Sequence, residues 1–272
     1  MRKRKLDIAK LLLGLVLLLS AITALYPFVY MFLLSLTQSK DIYLKLNPAE
    51  MNFINYDRVF RNFDFLMYMK NSIIVSSSAC ALNCIISAMA AYGFAKKKFP
   101  GSRAIFTLYL ATLMIPGQVT LIPVFTIMRK INMLNTYPAL FLPIINAFGV
   151  FLIKQFMVSL PDDLLEAARI DGCNEVQMFV RVVLPLIRTV LVSLTVFTFI
   201  TSWNDFIWPL VAAPDTQMQT LTLALSVLKG NYLSNYGLIM AGSTLTFLPP
   251  FILYIFLQKQ FVEGIALTGI KG

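Results

Sequence analysis

The stretch Leu11–Leu36, LLLGLVLLLSAITALYPFVYMFLLSL, runs for 26 residues without a charged side chain. About 20 mostly apolar residues make a helix that crosses a bilayer, so this run predicts a spanning helix. The basic cluster Arg2-Lys3-Arg4-Lys5 in front of it could open a secretory signal. The apolar run, however, outlasts the roughly 7–15 residues of a signal's core, and no small-residue cleavage site is evident. A retained first helix is expected.

The rest of the chain has the same character. Of its 272 residues 58% are hydrophobic and 13% charged, and the mean hydropathy is +0.75. Soluble domains carry about 25% charged residues, enough for a hydrated skin that this chain cannot make. That excludes a cytosolic enzyme, a secreted disulfide scaffold and a nucleic-acid-binding domain. The net charge of +10 reads as topology, because Lys and Arg collect on the cytoplasmic side of membrane proteins. Cys80, Cys84 and Cys173, with no His anywhere, have no metal-ligand spacing and read as small packing residues; no metal site is expected.

Five further stretches qualify as spans: Met69–Phe94, Ala104–Ile127, Pro138–Val158, Thr189–Ala212 and Gly237–Leu257. The expected fold is an all-α membrane protein, one transmembrane domain over residues 1–272 with six helices. With the N-terminus in the cytoplasm, the inside segments hold 15 Lys and Arg and the outside segments 8, counted along the sequence. Both termini, the Lys96–Arg103 loop and the Ser159–Arg188 loop are then cytoplasmic. The protein is expected in the cytoplasmic (inner) membrane, multi-pass and in contact with lipid.

Several span residues are candidates for a pathway or its gate. The second span is rich in Ser and Ala, from Ser76 to Ala91, which suits close helix packing; a polar wall to which Asn83 contributes is the alternative. Pro116-Gly117 and Pro123 interrupt the third span, either as a static kink or as a moving, cavity-lining break. Asn146 lies within the fourth span. In the fifth, Trp203-Asn204-Asp205 contains the only acidic residue of the six stretches. Asp205 is a functional candidate by its depth; otherwise it sits near the outer interface with Trp203 and Trp208 as belt aromatics. Tyr109, Phe125, Phe148 and Trp203 are aromatic side chains of the kind that suit sugar rings.

The loop SLPDDLLEAARIDG, Ser159–Gly172, predicts a short helix. Proline and two aspartates favour its start, and Gly172 its end. Asn174 and Gln177 read as a cap pair opening a second helix, which Leu184-Pro185 ends before the fifth span. Leu164, Leu165 and Ala168 share one side of the first helix, which is too short to stand alone. It packs either on this chain's own helix ends or into a partner's groove.

Glu166-Ala167-Ala168, three residues, Gly172, nine residues, Val182, one residue, Leu184-Pro185 resembles the signature loop of permease subunits of binding-protein-dependent ABC importers, with Val182 where the signature has Ile. Asn71-Ser72, Ala90–Ala95 with Phe99-Pro100-Gly101, Ile115-Pro116 with Ile122-Pro123, Trp203–Leu210 and the tail Gly264–Gly272 resemble the carbohydrate branch of maltose-type permeases. The resemblance implies a second homologous permease subunit, two ATPase subunits, an extracytoplasmic solute-binding protein and a sugar substrate. It implies that Leu164, Leu165, Glu166, Ala167, Ala168, Asp171, Gly172, Leu184 and Pro185 form an ATPase-coupling loop. It implies alternating access driven by closure of the ATPase dimer on ATP.

No G-x-x-x-x-G-K-[ST] loop is present, so ATP and its Mg ion are expected on the partner ATPase and no cofactor in this chain. An ion-coupled secondary transporter would need more intramembrane ionisable groups than Asp205. An intramembrane Ser–His protease is excluded by the missing His, and a two-aspartate protease by the missing second membrane Asp.

Overall fold

The computed structural model describes residues 8–43, 47–231 and 235–269, and all regular structure among them is helical. The N-terminal cluster Arg2–Lys5 and Lys271, both counted in the charge asymmetry, lie outside the described residues. The chain divides into two compact units, residues 1–65 with 225–247, and residues 66–224 with 248–272.

The first unit is led by α1 (Ile8–Ser35), which carries Pro27 within it. Residues 9–29 of α1 are exposed along their whole length. A helix that is apolar all round and unburied by its own chain belongs in lipid or against another subunit. After a 3-10 turn at Pro48–Glu50 comes α2 (Ile54–Asn62), an amphipathic helix not expected within the polar Thr37–Tyr68 connection. Fully buried Asn55 ties α2 to the end of α1, donating to the Ser35 carbonyl at 2.9 Å and the Thr37 carbonyl at 2.7 Å.

The second unit begins with α3 (Phe65–Lys96), α4 (Ser102–Ala111) and α5 (Gly117–Lys130). Next come α6 (Tyr137–Phe141), α7 (Ala147–Val158) and α8 (Asp163–Ile170). α9 (Glu175–Met178) leads through a π turn at Phe179–Val183 into α10 (Leu184–Leu186) and α11 (Arg188–Asn204). α12 (Ile207–Ala212) completes it, while α13 (Leu221–Asn231) and α14 (Tyr236–Gly269) each belong partly to both units. One core joins Ala88, Ala91 and Tyr92 of α3 to Val150, Ile153 and Met157 of α7 and to Val190 and Leu194 of α11. A second gathers Val75, Leu140, Trp208 and Ala212.

Among the described residues three helices, Ala9–Ser35, Phe65–Lys96 and Tyr236–Phe261, are each long and apolar enough to cross a membrane. Three bent pairs bring the number to six if each pair is one span: Ser102–Met114 with Gly117–Lys130 at 103°, Tyr137–Ile144 with Ala147–Val158 at 47°, and Glu175–Leu186 with Arg188–Asn204 at 75°.

The breaks correct the sequence reading. Pro138–Val158 bends by 47° between Ile144 and Ala147, and Thr189–Ala212 is α11 and α12 parted at Asp205 and Phe206. The stretch Ala104–Ile127 is not one helix: Ile115 and Pro116 are both extended, and the chain turns through 103° there. Proline biases the residue before it away from the helical region, which accounts for Ile115. Leu184-Pro185, for its part, does not end the loop's second helix. Pro185 has no N–H to donate into the ladder. The turn before it widens to a π turn, and helical structure continues to Leu186 before bending at Ile187.

Candidate functional site

α8 and its flanks are built from local signals. Asp171 and Gly172 close α8 in a Schellman arrangement: the Gly172 N–H donates to the Arg169 carbonyl at 3.1 Å and the Cys173 N–H to Ala168 at 3.0 Å. Gly172 has φ +81°, the left-handed conformation that a Cβ disfavours, although open space surrounds it. Asn174 and Gln177 form a reciprocal capping box that starts α9.

At the other end the Asp162 side chain does not cap α8; it reaches Lys96. Lys96, at the end of α3, has a side chain 6% exposed, and its Nζ donates to Asp162 Oδ1 at 2.6 Å and to the Leu160 carbonyl at 2.7 Å. Lys97 pairs with Glu175 on the far side of α8, while Tyr92 Oη donates to the same carboxylate at 3.0 Å and Arg169 lies 3.6 Å from its other oxygen. Two successive lysines of one helix end therefore hold both flanks of α8. Hydrogen bonds from Lys96 and Lys97 hold the Asp162 and Glu175 carboxyls below their usual range.

The apolar residues of α8 divide. Ala168 is buried, and Leu165 packs against the core of α3, α7 and α11, as does Leu184. Leu164 is exposed, and so are Ile170 (86%) and Val176 (71%). Ile170 and Val176 face outward, while Leu164, 43% exposed, also lines a small cavity with Leu165, Met157 and Val183, beside the side on which the helical spacing put Leu164, Leu165 and Ala168. Glu166, Ala167, Asp171 and Pro185 are exposed. Among the described residues the Glu166 side chain makes no hydrogen bond or ion pair.

The span candidates scatter. Asn83 lies in a buried polar seam between α3 and α11, donating to Thr198 Oγ1 at 2.9 Å and accepting from Ser87 Oγ at 3.1 Å. Ser76 and Ser202 bond at 3.1 Å in the same seam. These side chains bond one another where the two helices pack. Gly149 of α7 meets that seam closely, since a Cβ there would fall 2.4 Å from Ser87 Oγ. Trp203 and Trp208 are buried rather than set at an exposed rim. Trp203 stacks on Phe199 at 5.3 Å, and Trp208 Nε1 donates to the Ala139 carbonyl at 2.8 Å. Asp205 stands at the break between α11 and α12 and accepts from the Trp208 N–H at 3.3 Å, a local turn contact. Asn204 is exposed and donates to the Ile200 carbonyl, and Asn146 caps α7 through the Phe148 N–H at 3.0 Å. Exposed Pro116 and Gly117 mark the 103° break, where a Cβ on Gly117 would meet nothing within 4 Å.

Sequence reading missed the anchoring role of Lys96, Lys97, Tyr92 and Glu175. Opposite charges were legible on the two segments, but 66 and 78 residues separate the pairs, and no local spacing links them.

Residues 84–266 match the family described as binding-protein-dependent transport system inner membrane component. Among curated relatives, the arabinooligosaccharides transport system permease protein of Halalkalibacterium halodurans is 35% identical over 259 residues, 93% of each chain. The lactose transport system permease protein of Rhizobium radiobacter is 32% identical over 92% of each chain. The sn-glycerol-3-phosphate transport system permease protein of Salmonella typhi is 34% identical over 74% of this chain and 73% of its own. A solved bacterial ABC transporter involved in the import of the acidic polysaccharide alginate matches the fold with TM-score 0.82 at 24% identity, covering 96% of this chain and 99% of that one.

Proposed function

The chain belongs to the binding-protein-dependent transport system inner membrane components, and from that membership we propose that it is the permease subunit of an ATP-driven importer of a sugar or oligosaccharide. Permease subunits of this family are multi-pass membrane proteins and not enzymes themselves. The importer also has a second permease, two ATPase subunits that bind ATP and Mg, and an external solute-binding protein. In this reading the three helices and three bent pairs are six spans, and the excess of Lys and Arg on one side favours cytoplasmic termini and a cytoplasmic α8 loop. A sugar is favoured by the arabinooligosaccharide and lactose relatives, which align over more than nine-tenths of the chain, against about three-quarters for the glycerol-3-phosphate relative.

The observation that carries the coupling is the double anchoring of α8. A helix too short to persist alone is held at Asp162 and Glu175 by the end of α3, with Ile170 and Val176 facing outward. The outward residues enter a groove on the ATPase. Closure of the ATPase dimer pushes α8, and the two lysine contacts pass the displacement into α3. The tight seam of α3 with α11 then moves both as one body, which switches access from inward to outward.

Proteoliposomes containing this chain with its second permease and ATPase test the reading. They should take up labelled arabino-oligosaccharide only with ATP inside the ATPase compartment and with the binding protein present. Uptake driven by an ion gradient without ATP would overturn it. Uptake of sn-glycerol-3-phosphate but no sugar would overturn the substrate class.

A further inference from the structure

A second feature lies beside the loop. An open cavity of about 1050 Å³ is lined by Lys97, Lys98, Arg103 and Lys154, with Phe94, Phe99 and Phe106 among the remaining residues. Four cations and no carboxylate share this one space. Lys97 pairs with Glu175, and the charge of Lys98 acts on the Asp162 carboxylate. Lys154 comes from α7, within the expected fourth span, and its ammonium sits 3.4 Å from the centre of the Phe106 ring. Lys98 and Arg103 bracket the short turn into α4 and make no intrachain ion pair among the described residues. Gly101 precedes α4 without a side-chain cap, so the helix's positive end adds to the same field. Ile105 and Leu108, also on α4, are exposed and apolar beside the charged rim.

Topology accounts for basic residues in the loop, since Lys and Arg collect at one membrane face. It does not by itself account for the convergence of Lys98, Arg103 and Lys154 on one space whose lining holds no carboxylate. Like charges brought together at a membrane boundary repel unless a counter-charge sits between them. The aromatic rings and the exposed apolar face of α4 make a surface for a chain as well as for a headgroup. We propose that this groove binds one anionic phospholipid, its phosphate held by Lys98, Arg103 and Lys154 and an acyl chain lying along Ile105 and Leu108. Basic pockets between membrane helices take such headgroups. The lipid would wedge α4 against the end of α3, next to the contacts that hold α8.

The test uses the full chain purified in neutral detergent and titrated separately with phosphatidylglycerol, phosphatidylcholine and inorganic phosphate, with retained lipid counted by native mass spectrometry. Wild type should prefer phosphatidylglycerol over phosphatidylcholine, and inorganic phosphate should not compete at equal concentration. Each basic side chain at an anionic lipid surface contributes about a fivefold preference, so K98Q with R103Q should lower it by roughly 25-fold. Both side chains are at the surface, and melting of the lipid-free double variant should match wild type. Lys154→Gln should lower the preference independently. Equal retention of the two lipids, or an unchanged preference in both variants, overturns the proposal. Competition by inorganic phosphate at equal concentration would make this a plain anion site. Loss of ATPase co-purification in K98Q/R103Q with lipid retention intact would assign the groove to a protein partner instead.

Discussion

Gly172 is the residue whose backbone conformation bears most directly on the proposed coupling. Its φ of +81° closes α8, and open space around it means that a substitution is penalised by conformation and not by collision. The left-handed region costs an L-residue about 1–2 kcal/mol, and β-branching adds to that. Gly172→Val should therefore tilt α8, leaving insertion normal while ATPase co-purification weakens and solute-stimulated hydrolysis is lost. Gly172→Asn, which tolerates this region, should retain most of both. Equal behaviour of the two variants would remove the cap from the account. Asp162 and Glu175 supply a pH dependence of definite sign. Their carboxyls are lowered in the folded chain by Lys96 and Lys97. They favour the anchored loop above the unfolded values, and that contribution is lost as pH falls through the folded ones. The distance between spin labels at positions 98 and 166 should be single and short at pH 7 and should broaden as pH drops below about 4. Glu175→Gln should broaden it already at pH 7, and a distribution independent of both pH and this substitution would contradict the anchoring.

Among the elements, the break between α4 and α5 was legible as Pro116-Gly117, but not its size. A lost hydrogen bond can be read from one residue, whereas the 103° turn depends on Ile115 also being extended and on what α5 packs against. A Cβ on Gly117 would meet nothing within 4 Å, so Pro116 is the residue on which to test the bend. Pro116→Ala should slow uptake more than it changes solute affinity at the binding protein. Wild-type uptake in a well-expressed Pro116→Ala variant would leave the bend a static feature. Gly237, at the start of α14, is a second element-scale device. A Cβ there would stand 2.0 Å from the Thr37 carbonyl oxygen, a backbone atom that cannot swing aside. Gly237→Ala should destabilise the first unit by about 1–3 kcal/mol, the usual cost of overpacking, measurable as a lower melting temperature. An unchanged melting temperature would show that the contact relaxes freely. Apolar length marked the α1, α3 and α14 spans because a run of that length has no other use. The short helix α2 escaped notice, and α12 was read as the end of the fifth span, because contacts distant in sequence set them, such as Asn55 with Ser35 and Trp208 with Ala139.

At the scale of the molecule, the signature in Glu166–Pro185 carried the family resemblance, and the charge asymmetry gives the orientation proposed for the loop. What neither could give was the division of the loop into an inward side, Leu165 and Ala168, and an outward one, Ile170 and Val176. Helical spacing groups residues on a face but does not say which neighbour covers it. Single cysteines in a cysteine-free background should confirm the orientation: position 97 closed and exposed Tyr43 open to an impermeant reagent added outside intact cells. Asn55 is unsuitable as the outer probe, being fully buried and bonded to Ser35 and Thr37. Labelling at position 97 would overturn the topology. The coupling claim is tested most directly by the outward apolar pair. Ile170→Asp together with Val176→Asp places charge on the docking surface and leaves the lysine anchors and the core untouched. In the assembled importer, solute-stimulated ATP hydrolysis is the quantity to measure. The account predicts that stimulation is lost while the variant chain still inserts and pairs with the second permease; stimulation equal to wild type would contradict it.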